Sequence, residues 1–293
     1  MKPVKALIFG VGGQDGFYMS ELCRMKGIEP LGVSRSGDQI HANIASFKDV
    51  EQLIESLRPD YIFHFAANST TGHDALFENH EVISTGTLNI LEAVRRHCPA
   101  AKVFITGSGV QFANRGEPIS ELDEFEANSP YSVSRIHSVF AARYYRSLGL
   151  KTYVGYLFHH ESPRRKHNHI SQKIVLHART IGAGNKEVFE LGDISVQKEW
   201  TFAGDTVKGI FTLVDQDAIF EAAIGSGATH SIEEWLEHCF GIIGKQWQDY
   251  VRIRRDFKPE YRRLVSNPAT INSLGWIPEM SIASLAKLMM DRG

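Results

Sequence analysis

Short apolar runs alternate with helix-like segments throughout the first half of the chain, and this alternation restricts the fold more than any other feature. The apolar runs read VKALIF, PLGVSR, YIFHFAA, KVFITGSG and TYVGYLFHH. Between them lie longer segments with the apolar spacing of a helix, such as DVEQLIESLRP. This order is typical of a parallel sheet with helices on both faces. We therefore predict an α/β protein built on a doubly wound parallel sheet.

The second half of the chain is less regular and predicts a smaller C-terminal α/β lobe. Its segments ISQKIVLHARTIGAG and SIEEWLEHCFGIIG have helical patterns, whereas VFELGD is typical of a strand. The polar loop HESPRRKHNH marks the clearest break between the two parts. We place the first domain at residues 1–158, with a returning segment near 195–215, and the second lobe at residues 159–293.

Composition and charge exclude several classes of protein. A chain of 293 residues with 43% hydrophobic residues can bury a substantial core. Its net charge of −2 gives no electrostatic basis for a nucleic-acid or membrane partner, and no segment approaches the length of a membrane span. The cysteines Cys23, Cys98 and Cys239 are widely separated, which is typical of a reducing compartment. We therefore expect a cytoplasmic protein that binds neither nucleic acid nor membrane.

A glycine loop follows the first predicted strand in the segment IFGVGGQDGF. Its spacing is G-x-x-G-x-x-G, and it lies after a strand and before a helix, as a dinucleotide-binding loop requires. Glycine permits a tight turn and the close approach of a pyrophosphate, which the helix N-terminus then stabilises. A glycine-rich turn without a ligand is the alternative. The predicted cofactor contacts in this loop are Gly10, Gly13, Gln14, Asp15 and Gly16.

The end of the second predicted strand indicates which dinucleotide binds. An NAD-binding protein usually carries an acidic residue there, which bonds the ribose hydroxyls. This chain has Ser34, Arg35 and Ser36 instead, and a cation flanked by hydroxyls suits a 2′-phosphate. We predict NADP, bound through Ser34 and Arg35, with NAD as the alternative and an exposed loop arginine as the simpler explanation. The remaining predicted cofactor contacts are Ala66, Ala67 and Phe158.

The stretch NSPYSVSRIHS holds a tyrosine and an arginine four residues apart. Ser129 followed by Pro130 is a helix-start pattern, so Tyr131 and Arg135 lie on one face of a helix that we expect to end near Leu148. Standing alone, such a pair is explained by a solvated helix face. The glycine loop elsewhere in the chain favours a joint role in chemistry.

Several stretches together resemble the extended short-chain dehydrogenase/reductases of the NAD-dependent epimerase/dehydratase superfamily. Within it, the chain is similar to the GDP-mannose 4,6-dehydratase branch along nearly its whole length. The similar stretches, in order, are GVGGQDGFYMSELCRMKGIEPLGVSRS, FHHESPRR, LGDISVQKEW, THSIEEWLEHCF, DFKP and INSLGW. The resemblance implies a Rossmann-type NADP-binding domain at residues 1–158 and a mainly substrate-binding lobe after it.

The mechanism of that family implies roles for three residues. A hydride leaves C4 of a nucleotide-linked sugar for the nicotinamide while a tyrosine takes the proton of the C4 hydroxyl, and the reverse reduces a 4-ketone. Tyr131 occupies the place of that tyrosine, and Ser108 that of the Ser or Thr which hydrogen-bonds the C4 oxygen. Arg135 would supply positive charge that lets the phenol act near neutrality, and would bond the cofactor ribose. These three are the predicted catalytic residues.

Three departures from the family pattern shape the prediction. Arg135 stands where the family has Lys, and its charge is more diffuse. Val110 stands where the dehydratases have the glutamate that removes the C5 proton, and the following Gln111 is a poor substitute. The segment SGDQIHANIASF after the second strand is shorter than its counterpart, which contacts a neighbouring subunit in the usual tetramer. We therefore expect a homodimer built from the two long helices of the first domain.

Four histidines, at positions 159, 160, 167 and 169, crowd one loop. Their spacing lacks the framing of a zinc site, so we predict no metal and interpret the segment as a substrate loop. Arg164 and Arg165 suit bidentate contacts with a sugar diphosphate. The family's Asn is replaced by a histidine, and two of its diphosphate-contacting arginines by lysines that ordinary surface positions would also explain. The predicted substrate-binding residues are Ser108, Val110, His159, Glu161, Arg164, Arg165, Lys198 and Lys258.

We expect an NADP-dependent oxidoreductase that acts at C4 of a nucleotide-linked sugar, with reduction of a GDP-4-keto-6-deoxy sugar as the first hypothesis. One alternative is a GDP-mannose 4,6-dehydratase-like lyase that uses another residue for the C5 proton. A second is an epimerase that oxidises and re-reduces C4 with retained cofactor. A third is a non-catalytic protein that binds NADP or a nucleotide sugar, which Arg135 and Val110 together keep open.

Overall fold

A parallel sheet of seven strands forms the centre of the computed structural model, which describes residues 2–35, 37, 39–68, 70–254 and 256–292. Over these residues the strands are, in chain order, β1 (Lys5–Phe9), β2 (Glu29–Ser34), β3 (Ile40–His41), β4 (Tyr61–His64), β5 (Lys102–Ser108), β6 (Lys151–Leu157), β7 (His160–Glu161), β8 (Phe189–Leu191), β9 (Gln197–Lys198), β10 (Thr201–Phe202), β11 (Glu221–Ile224), β12 (His230–Ser231), β13 (Val251–Ile253) and β14 (Arg263–Leu264). The α-helices are α1 (Gln14–Met25), α2 (Phe47–Leu57), α3 (Leu76–Asn79), α4 (Gly86–His97), α5 (Pro130–Ser147), α6 (Ile170–Gly182), α7 (Ala203–Val214), α8 (Ile232–Ile242), α9 (Ala269–Ser273) and α10 (Ile282–Arg292). The central sheet has the order β3–β2–β1–β4–β5–β6–β11. This is the doubly wound α/β fold that the strand–helix alternation predicts.

The central strands are apolar on both faces because helices cover both faces of the sheet. In β1, Leu7 and Phe9 pack with α2, α4 and α5, whereas Ala6 and Ile8 pack with α1 and α7 on the opposite side. All four of these residues are at most 1% exposed. A parallel strand covered in this way is a continuous apolar run, which is the pattern seen in the sequence.

Helix α5 begins where the sequence predicts and places its first turn beside the end of β5. Ser129 is the N-cap, and its hydroxyl accepts a hydrogen bond from the Ser132 amide at 3.1 Å, while the Ser132 hydroxyl accepts from the Ser129 amide at 2.9 Å. Pro130 occupies the first helical position, where it loses no hydrogen bond. The helix then continues to Ser147, with Leu148 as its C-cap.

A π-helical segment, His80–Thr85, joins α3 to α4 without a break. Such segments occur mostly as single turns and frequently at functional sites. Here the wider turn brings Glu81 and Val82 to the edge of the sheet where the strands end.

The second lobe has its own apolar core, built mainly from α6, α8 and α10. At its centre the rings of Trp200 and Trp235 are stacked with centroids 4.5 Å apart and an interplanar angle of 11°. The small sheets β12–β9–β14 and β13–β8 also belong to this lobe. In the part of the chain that the structure describes, no helix has both the length and the apolar character needed to cross a bilayer.

Candidate active site

A cleft of about 620 Å³ opens at the carboxyl ends of the central strands. Ligands of open α/β sheets bind at this edge, near the point where the strand order reverses, which here lies between β1 and β4. The predicted site residues that line the cleft are Gly10, Gly13, Gln14, Asp15, Gly16, Ser34, Arg35, Ala66, Ala67, Ser108, Val110, Tyr131, Arg135, Phe158, His159, Arg164 and Arg165. The other three, Glu161, Lys198 and Lys258, lie outside its lining. Segments that follow five different strands therefore meet in one cleft.

The glycine loop is shaped by close backbone contacts. Gly10 has a φ of +85°, and a Cβ there would lie 2.7 Å from the backbone nitrogen of Ala66. A Cβ on Gly16 would collide with the carbonyl oxygen of Gly10. Gly13 is the N-cap of α1 and provides no side-chain cap, so the first N–H groups of the helix are left for another partner. The two close backbone approaches and the uncapped helix N-terminus fit the predicted role of this loop in binding the pyrophosphate of a dinucleotide.

The side chains of Gln14 and Asp15 bond to the loop after β6. The Ser162 hydroxyl donates to the Gln14 side-chain oxygen at 2.7 Å, and the Gln14 amide donates to the His160 carbonyl at 3.3 Å. Asp15 Oδ1 lies 2.8 Å from His160 Nε2, whose other ring nitrogen is 2.7 Å from the Phe158 carbonyl. These two side chains therefore connect the glycine loop to the loop after β6.

The Asp15–His160 contact is an ion pair. Burial by itself raises the pKa of Asp15, but the charge and hydrogen bond of His160 outweigh it and the net pKa is lower than usual. Burial lowers the pKa of His160, yet Asp15 raises it to a net value above the ordinary one. Each group thus holds the other in its charged form.

Arg35 lies at the rim of the cleft, after β2. Its side chain is 76% exposed, and its closest ionic partner is Glu78 at 3.5 Å. An exposed pair of this length contributes little to stability, so the guanidinium is accessible to a ligand. Ser34 lines the cleft beside it. The third residue of the predicted phosphate-binding group, Ser36, lies outside the described residues.

The turn after β5 positions Ser108 and Val110. The backbone amide of Ser108 donates to the side-chain oxygen of Gln111 at 2.8 Å, which closes the short 3₁₀ turn over Gly109–Gln111. Gln111 is fully buried, whereas Ser108 and Val110 are partly exposed to the cleft. Val110, at the position of the family's glutamate, therefore presents an apolar surface to the cleft. The side chain of the neighbouring Gln111 is buried outside the cleft lining.

Tyr131 and Arg135 project towards the cleft from the same face of α5, as their spacing predicts. The guanidinium carbon of Arg135 lies 5.0 Å from the centre of the Tyr131 ring. Its Nη1 donates to the carbonyl of Thr106 in β5 at 2.7 Å, and the residue is only 2% exposed. The arginine is thus held between the tyrosine ring and the sheet, with its charge close to the ring face.

The predicted substrate loop divides into a cleft wall and a buried layer behind it. His159 and Arg165 line the cleft, while Glu161 is fully buried and Lys198 is 6% exposed. Arg164 is exposed, and its guanidinium carbon lies 3.5 Å from the centre of the Phe17 ring. Glu161 and Lys198 therefore lie outside the cleft lining, and their role in substrate binding stays a prediction.

A second cavity of about 380 Å³ adjoins the cleft in the second lobe. Tyr261 lines both cavities, and Lys173, Arg254 and Phe257 line the second one. Lys258 is exposed and belongs to the lining of neither cavity, whereas the neighbouring Phe257 lines the second one. Sequence analysis overlooked Tyr261, which belongs to no motif and reaches the cleft only through the packing of the second lobe.

Three of the four loop histidines, His159, His160 and His169, line the cleft. His159 contacts Glu161, and His160 contacts Asp15. In the described ranges, no group of three or more His, Cys, Asp or Glu side chains is arranged to hold a metal ion.

Residues 7–289 of the chain match a family model described as GDP-mannose 4,6 dehydratase. This chain belongs to the GDP-mannose 4,6-dehydratase family. The resemblance drawn from separate sequence stretches is thereby confirmed. Family membership agrees better with the dehydratase-like alternative than with the reductase that the sequence analysis put first.

Similar proteins agree with this assignment. GDP-mannose 4,6 dehydratase 2 of Arabidopsis thaliana is 30% identical over 319 residues, which cover 98% of this chain and 86% of the relative. The solved structure of dTDP-glucose 4,6-dehydratase from Bacillus anthracis in complex with NAD has a TM-score of 0.85 at 17% identity, covering 98% of this chain and 96% of that one. RMD from Pseudomonas aeruginosa, complexed with NADPH, has a TM-score of 0.84 at 20% identity, with coverages of 99% and 97%. These structures confirm the Rossmann-type fold of the extended short-chain dehydrogenase/reductases.

Proposed function

We propose that this protein is an NAD(P)-dependent enzyme that transfers a hydride at C4 of a GDP-linked hexose. The observation that carries the proposal is that Ser108, Tyr131 and Arg135 line the same cleft as the glycine loop. The three side chains suit proton transfer at a carbon–oxygen bond, and the glycine loop suits a dinucleotide pyrophosphate. Hydride transfer between a sugar and a nicotinamide requires both in one cleft. Membership of the GDP-mannose 4,6-dehydratase family supports the GDP-linked substrate.

NADP is the cofactor that we propose, with NAD as the alternative. The uncapped N-terminus of α1 leaves N–H donors and a positive dipole end for a pyrophosphate. The exposed guanidinium of Arg35 and the neighbouring Ser34 suit a 2′-phosphate at the rim. The nicotinamide, when bound, would supply the hydride acceptor or donor. Proteins of the same fold have been solved with NAD and with NADPH, which supports the class of cofactor.

The proposed chemistry assigns one task to each of three side chains. Tyr131 would take or give the proton at the C4 oxygen, and the Ser108 hydroxyl would donate a hydrogen bond to the same oxygen. Arg135 would place positive charge beside the Tyr131 ring, with its guanidinium carbon 5.0 Å from the ring centre. Its bond to the Thr106 carbonyl holds the guanidinium in that place.

Two reactions of this class have support from different observations. The family relationship favours a dehydratase-type reaction, in which oxidation at C4 is followed by loss of water. Val110 favours the second candidate, reduction of a GDP-4-keto-6-deoxy sugar, because valine cannot remove the C5 proton and Gln111 is turned inward. We put the dehydratase-type reaction first, with another acid–base group of the cleft in place of the missing glutamate.

Mass analysis of two incubations would distinguish the two reactions. One contains GDP-mannose with NADP, and the other contains GDP-4-keto-6-deoxymannose with NADPH. Loss of one water in the first is the expected result for a dehydratase-type enzyme. A gain of two hydrogens in the second, with no change in the first, would establish the reductase instead. No change in either, with both cofactors tested, would contradict the proposed function.

A homodimer is the proposed assembly, and the apolar face of α5 supports it. Val133, Phe140, Tyr144 and Leu148 are 46, 56, 59 and 49% exposed. Their spacing of seven, four and four residues places them on one face of the helix. Leu88 of the neighbouring α4 adds to this surface at 39% exposure. An apolar strip of this kind suits burial against a second copy of itself.

Light scattering on two charged variants would test the homodimer. We expect Phe140→Glu to shift the mass from dimer to monomer, because a carboxylate would be buried without a partner. Met25→Glu is the matched control, since Met25 is 75% exposed on α1 at the opposite face of the sheet. A monomeric mass for the unmodified protein would contradict the proposal.

The division of labour between the two domains is also part of the proposal. Residues 1–158 would hold the cofactor, and residues 159–293 mainly the substrate. Supporting this, the glycine loop belongs to the first part, and the residues that line the second cavity, from Ile170 to Tyr261, belong to the second. Helix α7 returns to pack beside α1 on the sheet, in the segment near 195–215.

The three free thiols, at Cys23, Cys98 and Cys239, support a cytoplasmic location.

A further inference from the structure

A compact charged cluster lies where the second lobe meets the cleft. Its centre is the fully buried carboxylate of Glu161, with His159 Nε2 at 3.0 Å from one oxygen and Arg165 Nε at 3.4 Å from the other. Lys198 is buried beside them, with its amine 5.1 Å from the centre of the Trp200 ring. The Glu161 carboxylate therefore faces several basic groups, and Asp15 in the cleft lining is a second carboxylate that interacts with Arg165.

The contact between His159 and Glu161 is favourable only when the His159 ring carries a second hydrogen, which burial and nearby cations disfavour. His159 Nδ1 lies 3.0 Å from the carbonyl oxygen of Glu199, which can only accept, so Nδ1 carries a hydrogen. Nε2 faces a carboxylate oxygen, and this contact is favourable only when Nε2 carries a hydrogen as well. Burial, followed by the charge of Lys198, lowers the pKa of His159 to about 3. Protonation of Nε2 is therefore disfavoured near neutral pH in the free protein.

The pKa of Lys198 is lowered as well, to a net value of about 8. Burial is the largest cause, Glu161 offsets part of it, and the charge of Arg165 adds to the lowering. Burial, followed by the charge of Arg165, lowers the pKa of His169 to about 4 in the same cluster. Other charged groups also act on the cluster: Lys166 disfavours protonation of His169, Tyr261 lies near Glu161, and Asp15 and His160 interact with Arg165. Burial and nearby cations lower the pKa of His159, Lys198 and His169.

We propose that the diphosphate of the substrate binds against this cluster with uptake of a proton, so that His159 and Lys198 make substrate affinity depend on pH. An anion in the cleft would supply the missing negative charge and favour protonation of both groups. His159 and Arg165 form the contact wall, and Lys198 acts from behind it. The inference rests on the proposed nucleotide-sugar substrate. It is particular to this chain, because the resembling family has Asn and Arg at these two positions and neither titrates near neutrality.

The direction of the effect follows from linkage. Binding takes up a proton where the free site is deprotonated and the bound site is not, so affinity falls as pH rises through the free value. With Lys198 near a pKa of about 8 in the free protein, its protonated fraction falls about fourfold between about pH 7 and about pH 8.5. We expect the dissociation constant to rise by the same factor.

Titration calorimetry would measure this uptake directly. GDP-mannose is titrated into the protein as purified, at about pH 7 and about pH 8.5, in two buffers of different ionisation enthalpy. The expected result is uptake of most of one proton at the higher pH and about fourfold weaker binding there. UDP-glucose is the second probe, since it carries the same diphosphate on another nucleoside.

Two lysine variants make the test specific. Lys198→Arg should bind with little change between the two pH values, because a guanidinium stays charged throughout. Lys245→Arg is the matched control: it makes the same chemical change at an exposed position outside both cavities, and should keep the unmodified slope. His159→Asn is an additional variant, which should lower the proton uptake measured at about pH 7. This second position keeps the proposal testable should Lys198→Arg fail to fold.

The outcomes separate this inference from the proposed function. GDP-mannose that binds without proton uptake, or a Lys198→Arg variant that keeps the full slope, would overturn the inference and leave the substrate proposal standing. Binding of UDP-glucose alone, with proton uptake, would support the inference and contradict a GDP-linked substrate. Failure of both nucleotide sugars to bind would overturn both.

Discussion

The glycine loop and the loop from Phe158 to Arg165 meet at one end of the cleft, yet they prepare it for a ligand in different ways. The glycine loop acts through its backbone, with Gly10 at a φ of +85° and the uncapped N-terminus of α1 behind it. The second loop acts through buried charge, with Glu161 enclosed between His159 and Arg165. Backbone geometry follows from the local sequence, whereas buried charge depends on which distant segments surround it. The comparison explains why one loop has a recognisable motif and the other does not.

The two loops are also joined to each other. Asp15 and Gln14 of the first loop bond to His160 and Ser162 of the second. Rigid cofactor and substrate walls are required for hydride transfer, because the reacting atoms must be held at a short distance in a defined orientation. A change in either loop is therefore expected to affect both halves of the cleft.

The largest effect is expected for removal of the Tyr131 hydroxyl, which belongs to neither loop. Tyr131→Phe should lower the turnover number of hydride transfer by about 10²–10⁴-fold, since proton transfer by a positioned side chain typically contributes that much. The rate of nicotinamide reduction or oxidation gives the measurement, and affinity for GDP-mannose should change little. An unchanged biological activity of this variant would support the alternative of a non-catalytic binding protein.

Substitution in the glycine loop tests the backbone side of the comparison. Gly10→Ala should lower the free energy of unfolding by about 2–3 kcal/mol, because it adds left-handed strain and a clash with the Ala66 backbone. Cofactor affinity should fall with it. Gly27→Ala is the matched control, since Gly27 has a φ of +72° but nothing within 4 Å of its added Cβ. Denaturant unfolding of both variants measures the difference, and equal losses would show that the close approach at Gly10 is unimportant.

The junction between the loops is tested by Asp15→Asn. The net lowering of the Asp15 pKa stabilises the fold above about pH 4 and is lost as pH falls through the folded value. The raised pKa of His160 stabilises it below about pH 6.5 and is lost as pH rises through its folded value. The variant should therefore cost about 2 kcal/mol at about pH 6 and less at about pH 8.5.

A surface ion pair provides the control for this experiment. Arg115 and Glu124 lie 3.6 Å apart with side chains that are 80 and 78% exposed. Glu124→Gln should change the free energy of unfolding by less than about 0.5 kcal/mol at either pH. A similar small change for Asp15→Asn, measured by urea unfolding, would mean that the two loops are not held together by this pair.

The smallest expected effect is a gain at position 110. Val110→Glu restores the carboxylate that the resembling dehydratases have beside the C4 site, and it points into the cleft. We expect at least about a tenfold increase in water loss from GDP-mannose, which is less than the about 10²–10⁴-fold that a fully positioned general base contributes. Mass analysis of the product gives the measurement, with Val110→Gln as the control of similar size and no charge. Equal activity of the two variants would exclude a role for a carboxylate at this position.

The sequence predicted the first domain well because its elements are defined by local rules. The apolar runs became β1, β2, β4, β5 and β6, and Ser129 and Pro130 started α5 as expected. The seventh strand, β11, was not predicted from its short segment Glu221–Ile224, since its place at the sheet edge depends on pairing with β6.

Predictions for single side chains were less complete. Gln14 and Asp15 were identified as members of the glycine loop, but their bonds to the loop after β6 join residues about 145 positions apart. Lys198 and Lys258 had equal standing in the sequence, and only packing buries one and exposes the other. No pattern in one sequence contains that difference.

The sequence by itself determined the fold class, the dinucleotide-type loop, the Tyr131–Arg135 pair and the absence of a carboxylate at position 110. These features depend on periodicity, on glycine conformations and on spacing along a single helix, all of which are local. The tertiary structure decided the buried charge around Glu161, the fastening of the two loops and the burial of Lys198. The pKa of a buried group depends on neighbours brought in from distant segments, so it exists only once the chain has folded.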